Sequence, residues 1–426
     1  MTVAPASART SLTTNQIRGF WAAWGGWALD GMDSFIYSLV LVPALTELLP
    51  RSGIQATGGN IGFYGSVLFA LFLIGWGLSM LWGPMADRFG RVRTLMLTIL
   101  CYSIFTFMCA LSRNVWELAA FRVLAGIGIG GEWSMGGTFV AEEWPEDRRK
   151  TGAGYMHTGY YFGFFLAAIA NYFVGARYGW RAMFILGGVP ALLVTLIRYG
   201  VHESKNWEQK TRPAMKAAFS KLFSSTYATR TWLNSLYLLV SIVGLWAGSV
   251  YVPASVTQIA AREGRAAAEA ARLASYGTML LSVGTILGCI VLPPIAEALG
   301  RRVTLGLYFV VMFFSIAVGF GYVFYLPQAL TPFMVVLFFL GVGGANFAMY
   351  TLWLPEQYGT DCRASAFAFA TSVGRFAGAG ITFLVGAGVQ YFQTLGTPVA
   401  LTSIAFLVGL AALPFGHETR GQALPD

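Results

Sequence analysis

Twelve apolar segments recur along the chain, each close to the roughly 20 residues a helix needs to cross a bilayer. Their centres fall near residues 34, 73, 101, 127, 163, 189, 242, 284, 314, 342, 378 and 406. Hydrocarbon offers a peptide group no hydrogen-bond partner, so a segment of this length and polarity crosses it as a helix. The composition agrees: the 426 residues are 56% hydrophobic and 11% charged, against about 25% charged in soluble domains. The expected fold class is an all-α membrane protein of twelve transmembrane helices.

One longer polar stretch, 202–230, separates six segments from six and carries Lys205, Lys210, Arg212, Lys216 and Lys221. The expected organisation is an N-terminal six-helix half over 1–201, a cytoplasmic linker over 202–230 and a C-terminal six-helix half over 231–426. The connections echo each other. Residues 83–93 after the second segment match 294–302 after the eighth; 143–149 match 355–363; 202–204 match 417–421. Matched connections at matched positions imply an internal duplication, hence two pseudo-symmetric halves.

Most lysines and arginines fall on the side that holds the N-terminus, Arg88, Arg91, Arg148, Arg149 and Lys150 among them. That bias sets both termini in the cytoplasm. The net charge of +9 thus lies in short loops and reports topology; no nucleic-acid-binding motif accompanies it. No nucleophile–base arrangement or cofactor motif is present, so neither an enzyme nor a cofactor is expected. Cys101, Cys109, Cys289 and Cys362 lack metal-ligand spacing, and neither a metal nor a disulfide is expected.

Polar residues inside the spans carry the chemistry. Asp30 and Asp33 lie within the first segment. An acid at bilayer depth costs about 2.5–3.5 kcal/mol on insertion, so it must face the bundle interior or an aqueous cavity. A separation of three residues puts both on one helix face, which Tyr37 extends. In the fourth segment Arg122 and Glu132 are about 15 Å apart along a helix, and the glycines between them let another helix approach. His157 is the one histidine inside a span. Asp30, Asp33, Glu132 and His157 form the candidate proton-coupling set. Arg375 in the eleventh segment needs an anion, which is Asp30, Asp33 or a bound substrate. Arg122, Asn346, Tyr37 and Tyr161 complete the candidate substrate-binding set. Each also has a plainer reading: a fixed ion pair for the arginines, bundle packing for the aromatics.

The 83–93 connection follows the pattern G-x-x-x-D-R-x-G-R-[RK]. Gly83, Asp87, Arg88, Gly90 and Arg91 match in order, and Arg93 supplies the last basic residue. The second copy offers Glu297 and Arg301. On these residues the chain resembles the major facilitator superfamily, over about 18–421. The resemblance implies that these positions gate one end of a two-half carrier. The run from Arg122 to Glu132 looks like the R-x-x-x-G-x-G-x-G-G-E pattern of members that move metabolites with protons. Residues 30–33 look like the D-G-[FY]-D element of bacterial organic-carboxylate/proton symporters, of the sialate and monocarboxylate group or the aromatic-acid group, with Met32 in place of the aromatic. Arg375 is similar to an arginine of organic-anion transporters. The implied function is proton-coupled symport of a small organic carboxylate by alternating access, with that anion and protons as partners, in a bacterial inner membrane and as a monomer. A sugar or polyol symporter is the alternative, since 202–204 and 418–421 resemble sugar-porter loop ends. A drug/proton antiporter fits less well, because its G-x-x-x-G-P-x-x-G-G run is missing.

Overall fold

The computed structural model describes residues 10–82, 91–130, 144–190, 220–359, 362–422 and 425. The first helix, α1 (Thr14–Arg51), is opened by a capping box in which the Thr13 hydroxyl and the Gln16 side chain each accept from the other's backbone N–H. It is followed by α2 (Gly58–Leu78), α3 (Arg91–Cys109) and α4 (Val115–Ile129). Next come α5 (Glu146–Ala170), prolonged by a π-helical turn at Asn171–Gly175, and α6 (Trp180–Gly187). After residue 220 follow α7 (Ala228–Val243), a π-helical turn at Gly244–Ser249, α8 (Val252–Arg262) and α9 (Ala267–Leu299). The chain ends with α10 (Arg301–Gly321), α11 (Leu330–Gly344), α12 (Phe347–Trp353), α13 (Arg363–Phe392), α14 (Gly396–Leu401) and α15 (Ile404–Ala412).

The described residues contain no strand, and eight helical stretches among them are long and apolar enough to cross a membrane. The expected spans at 127 and 189 are shorter because α4 and α6 run up to residues outside the description. The span at 242 is divided between α7 and α8 by the π-helical turn. Two boundaries differ from the sequence reading. The first turn of α7 takes up Ala228–Arg230, which the sequence placed in the linker. The connection expected over 294–302 shrinks to Gly300: α9 continues through Pro293 and Pro294 to Leu299, and α10 begins at Arg301. Proline keeps a helical φ, whereas the reversal needs the left-handed residue that Gly300 supplies with φ 89°.

Reciprocal glycines set how closely the helices approach. A methyl group on Gly31 of α1 would collide with the Tyr160 carbonyl of α5, and one on Gly163 with the Ala28 carbonyl. The α2–α4 crossing repeats this: Gly75 faces the Val123 carbonyl and Gly126 the Phe72 carbonyl. So does α9–α11, where Gly284 faces the Phe338 carbonyl and Gly341 the Leu281 carbonyl. In all six cases the carbonyl lies three residues before the opposing glycine. Each crossing therefore places two backbones in direct contact, the arrangement small residues permit in apolar bundles.

The helices before residue 190 meet those after 220 along two seams. Helix α2 runs against α13, and α5 against α9. Both termini lie at one end of the bundle. There Phe20 packs on Trp144, with ring centroids 5.2 Å apart, and Lys150 Nζ reaches Glu297 Oε1 at 3.1 Å. Arg301 is fully buried and donates from Nε and Nη2 to Glu356 at 2.9 and 2.8 Å. At the opposite end the seams are held by Asn171 donating to Ser275 at 3.0 Å and Gln390 donating to Asn60 at 3.4 Å. The hydroxyls of Ser66 on α2 and Tyr251 just before α8 also meet there.

Candidate functional site

Between the two seams lies a cavity. Its walls are Trp27 from α1, Trp76 from α2, His157, Tyr160 and Tyr161 from α5, Ile242 and Leu245 at the α7 π-helical turn, Phe347 from α12 and Arg375 from α13. Aromatic rings dominate, and Arg375 brings the positive charge. Its guanidinium carbon lies 4.2 Å from the Trp76 ring centroid, across the α2–α13 seam. Trp27 and Tyr160 stand 4.6 Å apart, and the His157 and Phe347 rings are parallel within 2° at 6.2 Å. Tyr161 donates to the Gly344 carbonyl at 3.1 Å, tying α5 to α11.

Four conditions bring these side chains together. The Gly31 and Gly163 contacts draw α5 onto α1, which sets Trp27 beside Tyr160. The residue pair Gly75 and Gly77 brackets Trp76, and Gly77 lies against Phe376, next to Arg375. The helix leading to Phe347 breaks at Ala345–Asn346, and a discontinuous helix at mid-bundle opens room for a ligand. The π-helical turn after α7 brings Leu245 to the same level.

The sequence-selected residues fall into three places. His157, Tyr161 and Arg375 line the cavity. Asp30 is fully buried and, with Arg375, lies within electrostatic reach of Tyr160 behind the cavity wall. Asp33, Tyr37 and Arg122 form a second group inside the α1–α2–α4 contact. There the Arg122 guanidinium sits over the Phe72 and Tyr37 rings, 4.0 and 4.7 Å from their centroids. Arg122 is fully buried, and its nitrogens have no hydrogen-bond partner among the described residues. Asp33 lies in its electrostatic reach and, with Thr106, closes on Gly187 of α6. Tyr37 donates to the Gly65 carbonyl at 3.1 Å. Asn346 is buried beside the helix break and donates to the Gly343 carbonyl at 2.8 Å. Thus Arg122, Tyr37 and Asn346 are not brought to the Arg375 cavity.

Of the candidate gating residues, Glu297 and Arg301 lie at the terminus-bearing end. Glu297 contacts both Lys150 and Arg301, the latter at 2.7 Å. Arg91 opens α3, while Gly83, Asp87, Arg88, Gly90 and Glu132 lie outside the described residues. The sequence reading missed Trp76 and Phe347. The one available signal for Trp76 was a large ring flanked by two glycines in a span. It also missed Glu356 as the partner of Arg301, because the two sit 55 positions apart on different helices.

A "Probable 4-methylmuconolactone transporter" of Cupriavidus pinatubonensis is 31% identical over 429 residues, covering 96% of this chain and 92% of that protein. The "Niacin transporter NiaP" of Acinetobacter baylyi is 26% identical, over 95% of this chain and 94% of that one. The solved proton:xylose symporter XylE has a TM-score of 0.74 at 18% identity, over 96% and 97% of the two chains, which speaks for the fold alone. Residues 23–383 match the Major Facilitator Superfamily, and the chain belongs to that family of multi-pass membrane transporters.

Proposed function

We propose that this chain is a proton-coupled carrier of a small organic carboxylate, preferably one with a flat ring, which it takes up by alternating access. One observation carries the reading: a cavity between the seams walled largely by aromatic rings, with Arg375 in its lining. Rings offer stacking faces to a planar substrate, and a guanidinium binds a carboxylate through paired hydrogen bonds. The described wall carries neutral hydrogen-bonding groups on Trp27, Trp76, His157, Tyr160 and Tyr161, but its one charge is the positive charge of Arg375, which favours an anion over a polyol. The relatives support the same class by their names, one for niacin and one for a muconolactone.

The proton path runs through α1. Asp30 and Arg375 share Tyr160 as an electrostatic neighbour, so the charge on Asp30 and the charge brought by the substrate act on one site. Asp33 beside Arg122 is a second buried acid, and His157 contributes from the cavity wall itself. In the cycle, a proton on the acid and a carboxylate on Arg375 together neutralise the cavity, and the neutral state closes. A substrate that bound open and closed states equally would move nothing. The reading includes two six-helix halves, 1–201 and 231–426, which the repeated glycine crossings at α2–α4 and α9–α11 support. It places the terminus-bearing, arginine-rich end in the cytoplasm of a bacterial inner membrane.

The test is external pH around proteoliposomes after adding benzoate, nicotinate, lactate, sialate or xylose. Benzoate and nicotinate are expected to alkalinise the medium, and Arg375→Ala to abolish that response while Asp30→Asn uncouples it from the proton gradient. A response to xylose alone overturns the proposal.

A further inference from the structure

Trp76 was singled out neither by the sequence nor by any charge it carries, yet it is the residue on which Arg375 rests. It is 3% exposed, and Arg375 6%. The guanidinium carbon sits 4.2 Å from its ring centroid. The two residues belong to opposite sides of the α2–α13 seam, and both line the cavity. The ring also has its own neighbours to fix it. Phe72, one turn earlier, lies 5.8 Å away and Tyr160 6.4 Å.

We propose that Trp76 is the positioning residue of the anion site: its ring face seats the Arg375 guanidinium, so that the N–H groups are presented to a carboxylate in the cavity. This rests on the reading of Arg375 given above. An aromatic face attracts a cation through its quadrupole. It does so without supplying oxygens, so it does not compete for the N–H donors as an acidic side chain would. The ring thus engages the plane of the guanidinium, whereas a carboxylate would meet its N–H edge. The contact bridges the α2–α13 seam, so any shift of one helix against the other would alter it. Substrate affinity is thereby linked to how the two helices lie at that point, as differential binding requires.

The strength of such a contact corresponds to about 2- to 30-fold in affinity. The test uses nicotinate and benzoate as probes on the full-length protein in proteoliposomes. Fluorinated tryptophans are inserted at position 76 alone, since fluorine withdraws charge from the ring face and barely changes its size. The expected result is a KM that climbs stepwise with each fluorine, at a nearly constant maximal rate. Trp76→Phe should retain most of the affinity and Trp76→Leu should lose about 10-fold, within the same range. A KM unmoved by fluorination would reduce Trp76 to packing and overturn the proposal. Arg375→Ala separates the two claims. Loss of affinity in that variant with a flat fluorine series removes the role of Trp76 alone. Unchanged affinity in Arg375→Ala, or no binding of either probe to the unsubstituted protein, removes the anion site and the role of Trp76 together.

Discussion

Glu418 shows how much one side chain can organise. Its Oε1 accepts the backbone N–H groups of Arg301, Thr419 and Arg420, at 2.9, 3.1 and 3.1 Å, and its Oε2 that of Arg302 at 3.2 Å. It therefore ties the C-terminal segment to the first turn of α10, where a carboxylate meets unsatisfied donors. Burial pushes its pKa up, but these N–H groups outweigh burial and hold it below the ordinary 4.5. A carboxyl whose folded pKa is lowered contributes stability that is present above the unfolded value and lost as pH falls through the folded one. Protection of the Arg301 and Arg302 amides from hydrogen exchange should thus hold at pH 6 and decline below about 4.5. Glu418→Gln should remove that decline along with much of the protection. Arg301 itself makes a second case. Its bidentate pair with Glu356 is buried, and Thr419 Oγ1 adds a 2.5 Å hydrogen bond to the same carboxylate. Glu356→Ala leaves a buried guanidinium with part of its partners gone and should cost about 3–5 kcal/mol. The same change at the exposed Glu269, which pairs with Arg265 at 3.0 Å, should cost under about 1 kcal/mol. Thermal unfolding of the detergent-solubilised protein compares the two. Sequence spacing showed that these acids sat at span ends. It did not show which arginine each would find, because the pairs form between helices far apart in the chain.

At the scale of helices, close approach is written in glycine. The sequence displays an abundance of glycines, but abundance does not say which ones touch another backbone. Gly341 faces the Leu281 carbonyl, whereas Gly380 has nothing within 4 Å of where a methyl would stand. Gly341→Ala must separate α9 from α11 or distort them, and overpacking of this kind costs about 1–3 kcal/mol. Gly380→Ala adds a methyl in open space on a helix and should be neutral or stabilise by up to about 1 kcal/mol. Melting temperatures of the two variants should therefore move in opposite directions or differ clearly in size; equal losses would refute the backbone-contact account. The apolar periodicity and length of the segments were enough to read an all-helical membrane fold. The break at Ala345–Asn346 and the π-helical turn at Gly244–Ser249 were not legible. Glycines accompany both, Gly343 and Gly344 before the break and Gly244 and Gly248 within the turn, but glycines such as Gly284 and Gly378 stay inside unbroken helices, so glycine alone does not mark a departure. The site followed the same division. Mid-span charges such as Arg375 stood out, and Tyr161 with them, while Trp76 and Phe347 did not, because one aromatic in an apolar helix looks like any other.

For the whole molecule, polar contacts between described residues cross the seams at both ends of the bundle. The terminus-bearing end is held by Lys150 and Glu297, and the opposite end by Asn171 with Ser275 and Gln390 with Asn60. All of these are modest polar contacts laid over helix packing. That is what alternating access requires, since a latch much stronger than a few kcal/mol could not be opened by the differential binding of a small substrate. The Lys150–Glu297 pair is partly exposed, with side chains 25% and 44% accessible, and such a pair is worth about 1 kcal/mol at most. Removing it should shift the balance toward the state open at the terminus-bearing end about fivefold. Lys150→Glu is the sharper variant, since it sets two carboxylates against each other. In a cysteine-depleted background, a cysteine at the cavity-lining position Ile242 then reports access. Its maleimide labelling from the terminus-bearing side should quicken about fivefold in Lys150→Glu. It should return toward the original rate in Lys150→Glu/Glu297→Lys, where the pair is restored with its charges exchanged. Labelling from the other side should slow, because the two openings draw on one population. If the rate from the terminus-bearing side is the same in all three proteins, the pair is a surface contact without a gating role, and closure there rests on helix packing such as that of Gly154 against Pro293.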